Sequence, residues 1–124
     1  MHYIFNFNFN FDISYVSGGF AFYSSSTNKC YLSVETSSNE VTCSNSQIPF
    51  LITSYPGQYV IITNIKNNNL LTYQPSNSKI YATTSSQLAQ IPYSSLFYIM
   101  CPDGSNSCDQ VQTVAAARNK ILVV

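Results

Sequence analysis

Three stretches of the chain share one pattern: FDISYVSG (Phe11 to Gly18), FLITSYPG (Phe50 to Gly57) and FYIMCPDG (Phe97 to Gly104). Each reads F-x-I-x-x-x-x-G. In an extended segment side chains alternate between faces, so Phe and Ile share one face and the glycine closes the turn that follows. QIPF leads into the second copy at Gln47 to Phe50, and QIPY at Gln90 to Tyr93 stands shortly before the third. After each glycine comes a strand, a polar turn and a second strand: FAFYSSSTNKCYLSV, YVIITNIKNNNLLTY and, more divergent, QVQTVAAARNKILVV. Asn28-Lys29 of the first recurs as Asn119-Lys120 of the last. The spacing implies three units of about 40 residues, too short to bury separate cores and therefore obliged to pack together. The third unit runs from Gly104 through the chain end and resumes at the beginning, so it is split across the termini.

The rest of the chain agrees with strands. Candidates are Tyr3 to Ile13, Phe20 to Tyr23, Cys30 to Val34, Val41 to Cys43, Phe50 to Thr53 and Tyr59 to Asn64. They continue with Leu70 to Tyr73, Ile80 to Thr84, Leu96 to Met100, Gln110 to Ala115 and Lys120 to Val124. Ser, Asn, Gly and Pro separate them, and TVAAAR near Val114 is too short for a helix. Short strands at even spacing predict one all-β domain over residues 1–124, a sandwich or a closed barrel.

Only 8% of the 124 residues are charged, with net charge +0, against roughly 25% in a typical domain. Nucleic-acid binding and attraction to anionic lipid both need a positive surface that five Lys and Arg do not supply. The apolar runs LFYIM and KILVV are too short to insert as membrane helices. MHYIF leads into FNFNFNF rather than a continuous apolar stretch, so no signal peptide is read. The polar surface is left to Ser, Thr, Asn, Gln and Tyr, a composition also found in secreted proteins and antibody paratopes.

Cys30, Cys43, Cys101 and Cys108 form two local pairs without zinc-type spacing, and the single His2 is terminal. Two disulfides are expected, with buried free thiols as the alternative. Bridged pairs place the protein in an oxidising, secreted or extracellular-surface location. No N-x-[ST] sequon occurs among the 13 Asn.

One unit carries a family likeness. Cys30-Tyr-Leu32-Ser33-Val34, then Val41, Cys43 and Gln47-Ile-Pro-Phe50 resemble the ricin-B-type β-trefoil repeat, which runs Cys-Leu-Asp-Val, Val-rich strand, Cys, Gln-x-Trp. Phe50 stands for the core Trp, with one residue inserted. The second unit matches in part (Leu70, Leu71, Ile80, Gln90) and the third in outline. The resemblance implies a β-trefoil-like closed barrel capped by hairpins. A permuted trefoil, a degenerate one and another repeat-built barrel all fit the split third unit. The family's galactose-binding residues do not carry over: Ser33, Val41 and Ser46 occupy those positions in the first unit, and Thr72, Ile80 and Ala89 in the second. In the third, Val123 stands at the acid position.

Catalysis finds little support. A Ser-His system would depend on terminal His2. Carboxylate pairs must come from Asp12, Glu35, Glu40, Asp103 and Asp109, which read first as turn charges. No cofactor is expected, and the chain reads as a non-enzyme. The first expectation is lectin-like recognition of carbohydrate or a glycoconjugate, the partner being carbohydrate or a protein at a cell surface. Its candidate contacts are Asn67, Asn68 and Asn69 in one turn, and Asp103, Asn106 and Asp109 near the second cysteine pair. Tyr55 and Tyr73 are candidate stacking platforms. The same residues also read as neutral surface.

Two other readings stay open. A stapled CPDGSNSC loop, Cys101 to Cys108, would suit a protease inhibitor, because a rigid loop loses little entropy on binding. In IFNFNFNFD, Phe5, Phe7, Phe9 and Phe11 share a face opposite Asn6, Asn8, Asn10 and Asp12. That strand, Tyr3 to Asp12, either fills the core or pairs with a neighbour, as in a fibre or virion subunit.

Overall fold

The chain turns back on itself where the first two copies of the repeated motif end, at Gly18 and Gly57. A computed structural model describes residues 10–24, 29–77, 79–84, 91, 93–100 and 111–115. β1 (Asn10–Val16) and β2 (Gly19–Ser24) pair from Phe11↔Ser24 to Val16↔Gly19. β5 (Phe50–Tyr55) and β6 (Tyr59–Asn64) pair from Phe50↔Asn64 to Tyr55↔Tyr59. Gly18 and Gly57 take φ of 93° and 95° in the two turns, a region an L side chain rarely enters. The motif glycine is thus set by backbone geometry.

Six further strands and one 3-10 turn complete the described chain in sequence order. β3 (Cys30–Val34) and β4 (Val41–Ser44) form a hairpin, as do β7 (Leu70–Gln74) and β8 (Lys79–Thr83). The 3-10 turn (Tyr93–Ser95) precedes β9 (Phe97–Met100), which pairs with β10 (Val111–Ala115). Six strands follow one another antiparallel around a ring, β1–β2–β5–β6–β9–β10 and back to β1. The result is an all-β, nearly closed barrel-like sheet, with β3–β4 attached through β2 and β7–β8 through β6.

Successive hairpins of the ring meet at single residue pairs or short ladders. Phe20 pairs with Phe50, Val60 with Phe97, and Val111 with Phe11. The first residue of each F-x-I motif therefore stands at a seam, opposite an apolar residue of another hairpin. Phe50 and Phe97 are fully buried. Ile13 and Ile52 pack against the same core from the shared face, as strand alternation requires.

The core takes Phe22, Phe50, Ile62 and Phe97 from the ring and Leu32, Leu71, Tyr73, Ile80 and Ala82 from the two outer hairpins. Phe22 meets Phe50 edge to face at 6.0 Å. Each such large apolar side chain contributes about 1.5–3 kcal/mol on burial. The outer hairpins also touch one another. The Asn39 carbonyl accepts the Ala82 N–H at 2.7 Å, and Lys79 Nζ lies 3.4 Å from Glu40 Oε2.

Two expectations need adjustment. The first strand runs on to Val16 rather than stopping at Ile13, because its ladder with β2 holds up to the Ser17-Gly18 turn. Leu96 lies before β9, directly after the 3-10 turn. Cys30 and Cys43 are disulfide-bonded with Cα atoms 5.5 Å apart, so buried free thiols are ruled out for this pair. Tyr3 to Phe9, Cys101, Cys108 and Lys120 to Val124 lie outside the described residues.

Candidate functional site

Asn67, Asn68 and Asn69 lie in the connection from β6 to β7, and backbone chemistry accounts for much of their presence. The Asn64 N–H donates to the Asn69 carbonyl and the Asn68 N–H to the Asn64 carbonyl, both at 2.8 Å. Asn68 has φ 60°, a conformation asparagine tolerates better than most residues. Asn67 Oδ1 accepts the Asn69 N–H at 3.2 Å, and Asn64 Oδ1 accepts the Lys66 N–H at 3.0 Å. The same turn recurs between β3 and β4. There the Glu35 N–H donates to the Glu40 carbonyl, the Asn39 N–H donates to the Glu35 carbonyl, and Asn39 has φ 61°. Asn68 and Asn39 therefore do the same local work, satisfying backbone groups that would otherwise go unpaired.

The expected stacking platforms part company. Tyr73 is only 5% exposed and belongs to the core. Its place on β7 turns the ring inward beside Leu71, so it offers no face to a ligand. Tyr55 is half-buried and stands opposite Tyr59 at the end of the β5–β6 hairpin. Asn67 to Asn69 follow the other end of β6, a strand of about 20 Å at 3.3 Å per residue. The structure thus does not gather the asparagines and Tyr55 into one site. Asp103, Asn106 and Asp109 lie outside the described residues.

What the fold does assemble is a group of tyrosines. Tyr59 and Tyr98 rings lie 5.0 Å apart at 36°, and Tyr93 meets Tyr59 nearly edge-on at 5.8 Å. The Tyr59 and Tyr93 hydroxyls are hydrogen-bonded at 3.1 Å. Three elements bring these residues together: β6 starts at Tyr59, the 3-10 turn at Tyr93, and β9 places Tyr98 beside Phe97, the partner of Val60. Tyr93 is 37% exposed, and Tyr59 and Tyr98 are half-buried. Alternation carries Tyr55, Thr53 and Leu51 along the same outer face, opposite Tyr59, Ile61 and Thr63. No Asp, Glu, Lys or Arg occurs in β5, β6, β9 or the 3-10 turn.

Such a surface offers ring faces, ring edges and phenol hydroxyls that donate and accept hydrogen bonds, without formal charge. Sequence reading named Tyr55 but missed Tyr59, Tyr93 and Tyr98. Tyr93, the last letter of QIPY, was the available signal, yet its contact with Tyr59 crosses 34 positions. Among the described residues no group of three His, Cys, Asp or Glu is placed to hold a metal ion, and no helix is long and apolar enough to cross a membrane. Comparison with protein families, curated proteins and solved structures finds no match.

Proposed function

We propose that this chain is a non-enzymatic, lectin-like binding module of β-trefoil type, recognising carbohydrate or a glycoconjugate in a secreted or cell-surface setting. The trefoil reading is supported by the three equivalent seam pairs, Phe20↔Phe50, Val60↔Phe97 and Phe11↔Val111. In a trefoil β10 and β1 bracket the third unit, whose hairpin is then divided between the two chain ends. That arrangement also agrees with the ricin-B-type resemblance of the first unit.

The observation that carries the binding reading is the uncharged Tyr59–Tyr93–Tyr98 cluster continuous with Tyr55. Pyranose rings present C–H faces suited to aromatic stacking and hydroxyls suited to phenols. Rigid tyrosines also lose little conformational entropy on binding. The Cys30–Cys43 bridge agrees with an oxidising location. The inhibitor and assembly readings rest mainly on residues 101–108 and 3–9, and no observation on the described residues favours them.

A glycan array probed with the oxidised protein tests this reading, alongside Tyr59→Ala/Tyr93→Ala and Asn67→Ala/Asn68→Ala/Asn69→Ala variants. The expected result is a specific signal lost in the tyrosine variant and kept in the asparagine variant. Loss only in the asparagine variant moves the site to that turn. A blank array with folded protein overturns the carbohydrate reading.

A further inference from the structure

A second row of side chains crosses four neighbouring strands. Asp12 of β1 is opposite Tyr23 of β2, Tyr23 is opposite Tyr31 of β3, and Tyr31 is opposite Ser44 of β4. Directly opposed residues project from the same face of a sheet, so all four lie side by side. The Tyr23 and Tyr31 rings are 4.9 Å apart and tilted 55°. Gln47 Nε2 donates to the Tyr31 hydroxyl at 3.4 Å from the segment that leads into β5.

Asp12 is the unusual member. Ile13 beside it packs against the core, so alternation turns Asp12 to the outer face, where it is half-buried. Among the described residues no cation or hydrogen-bond donor takes up its carboxylate; the ion pair present joins Lys79 to Glu40. A carboxylate oxygen is a strong acceptor, and a ligand carrying hydroxyl groups can donate hydrogen bonds to it. The row therefore combines a strong acceptor, a pair of aromatic rings, an amide and a hydroxyl.

We propose that Asp12, Tyr23, Tyr31 and Gln47 form a second saccharide subsite, selective for a neutral pyranose with adjacent free hydroxyls. The two carboxylate oxygens accept from those hydroxyls, the tyrosine rings take the C–H face, and Gln47 supplies an amide at the rim. An anionic sugar is disfavoured, because its charge would face Asp12. The subsite also lies away from the Tyr59 cluster. Phe20 is level with Phe50 and Phe50 with Asn64, so Tyr23, beyond Phe20, belongs to the Asn64 end of the barrel. Tyr59 marks the opposite end. One copy of the chain can then bridge two glycans. The ligand class rests on the carbohydrate reading above; the position does not.

The test is an NMR titration of the isotopically labelled, oxidised protein with lactose, chitotriose and mannotriose, and with sialyllactose as the anionic arm. A neutral sugar is expected to move the amides of residues 12, 23, 31 and 47 and, separately, those around Tyr59 and Tyr93. Asp12→Asn is expected to weaken the first response roughly tenfold or more, the size of a hydrogen bond to a charged group, and to leave the second unchanged. Gln47→Ala, a change at an exposed position, is expected to weaken the first response less. Shifts confined to the Tyr59 region, or an Asp12 response equal in wild type and both variants, overturn the second subsite and leave the first standing. Shifts at Asp12 that persist in Tyr59→Ala/Tyr93→Ala support it independently. A preference for sialyllactose at Asp12 overturns the neutral-sugar assignment, and no shift with any sugar overturns both sites.

Discussion

The hairpins β3–β4 and β7–β8 occupy corresponding places, each attached to a ring strand that leaves a motif glycine, yet they are held by different means. β7–β8 buries Leu70, Leu71, Tyr73, Ile80 and Ala82. β3–β4 buries Cys30, Leu32 and Ser33, and no residue of β4 is buried. The poorly buried hairpin carries the Cys30–Cys43 disulfide; the well-buried one contains no cysteine. A hairpin alone is marginal in water, and this chain stabilises one by apolar contact and the other by a covalent link. The two means differ in how they fail. Loss of packing removes contacts from the folded state, whereas loss of a disulfide chiefly frees the unfolded chain.

That contrast can be broken from either side. Leu71→Ala should cost the most, about 2–5 kcal/mol, read as a lower midpoint in urea unfolding; a cost below about 1 kcal/mol would mean β7–β8 is not anchored by its core face. Cys30→Ala/Cys43→Ala should cost about 3 kcal/mol by loop closure over a separation of 13 residues. Amide exchange should then rise first in β3 and β4, and equal acceleration in β7 and β8 would contradict a covalent anchor specific to β3–β4. Asn39→Ala should cost about 1–2 kcal/mol through its left-handed backbone, while Asn39→Gly should be close to neutral. The smallest effect is expected for Glu40→Gln, less than about 1 kcal/mol and weaker still in high salt, because the Lys79–Glu40 pair is partly exposed.

How far the chain could be read in advance follows from the range of each interaction. The ten described strands fall close to the expected segments because β-branched and aromatic runs bounded by Asn, Ser, Gly and Pro act locally. The F-x-I-x-x-x-x-G pattern was legible for the same reason. It encodes a two-residue alternation and a positive-φ turn, and both are properties of a few consecutive residues. The disulfide Cys30–Cys43 also spans one short hairpin. Tyr73 was misjudged because alternation gives two faces without saying which is inward. Burial of Leu71, Tyr73 and Ala82 decides that only once β7 is packed. The Asn67 to Asn69 run was legible as a polar turn, but the backbone bonds that join Asn64 to Asn68 and Asn69 exist only in the folded hairpin.

Local sequence was enough to specify a protein of short strands, with glycines at two hairpin turns and few charged residues. Which strands meet at the seams emerges only on folding. Phe20 lies 30 positions from Phe50 in the chain, yet the two are neighbours in the barrel. Folding also decides that Tyr59 meets Tyr93 and Tyr98, and that Asp12 shares a face with Tyr23 and Tyr31. Register explains the difference: local chemistry fixes each strand's two faces, but closure of the ring sets which faces come together.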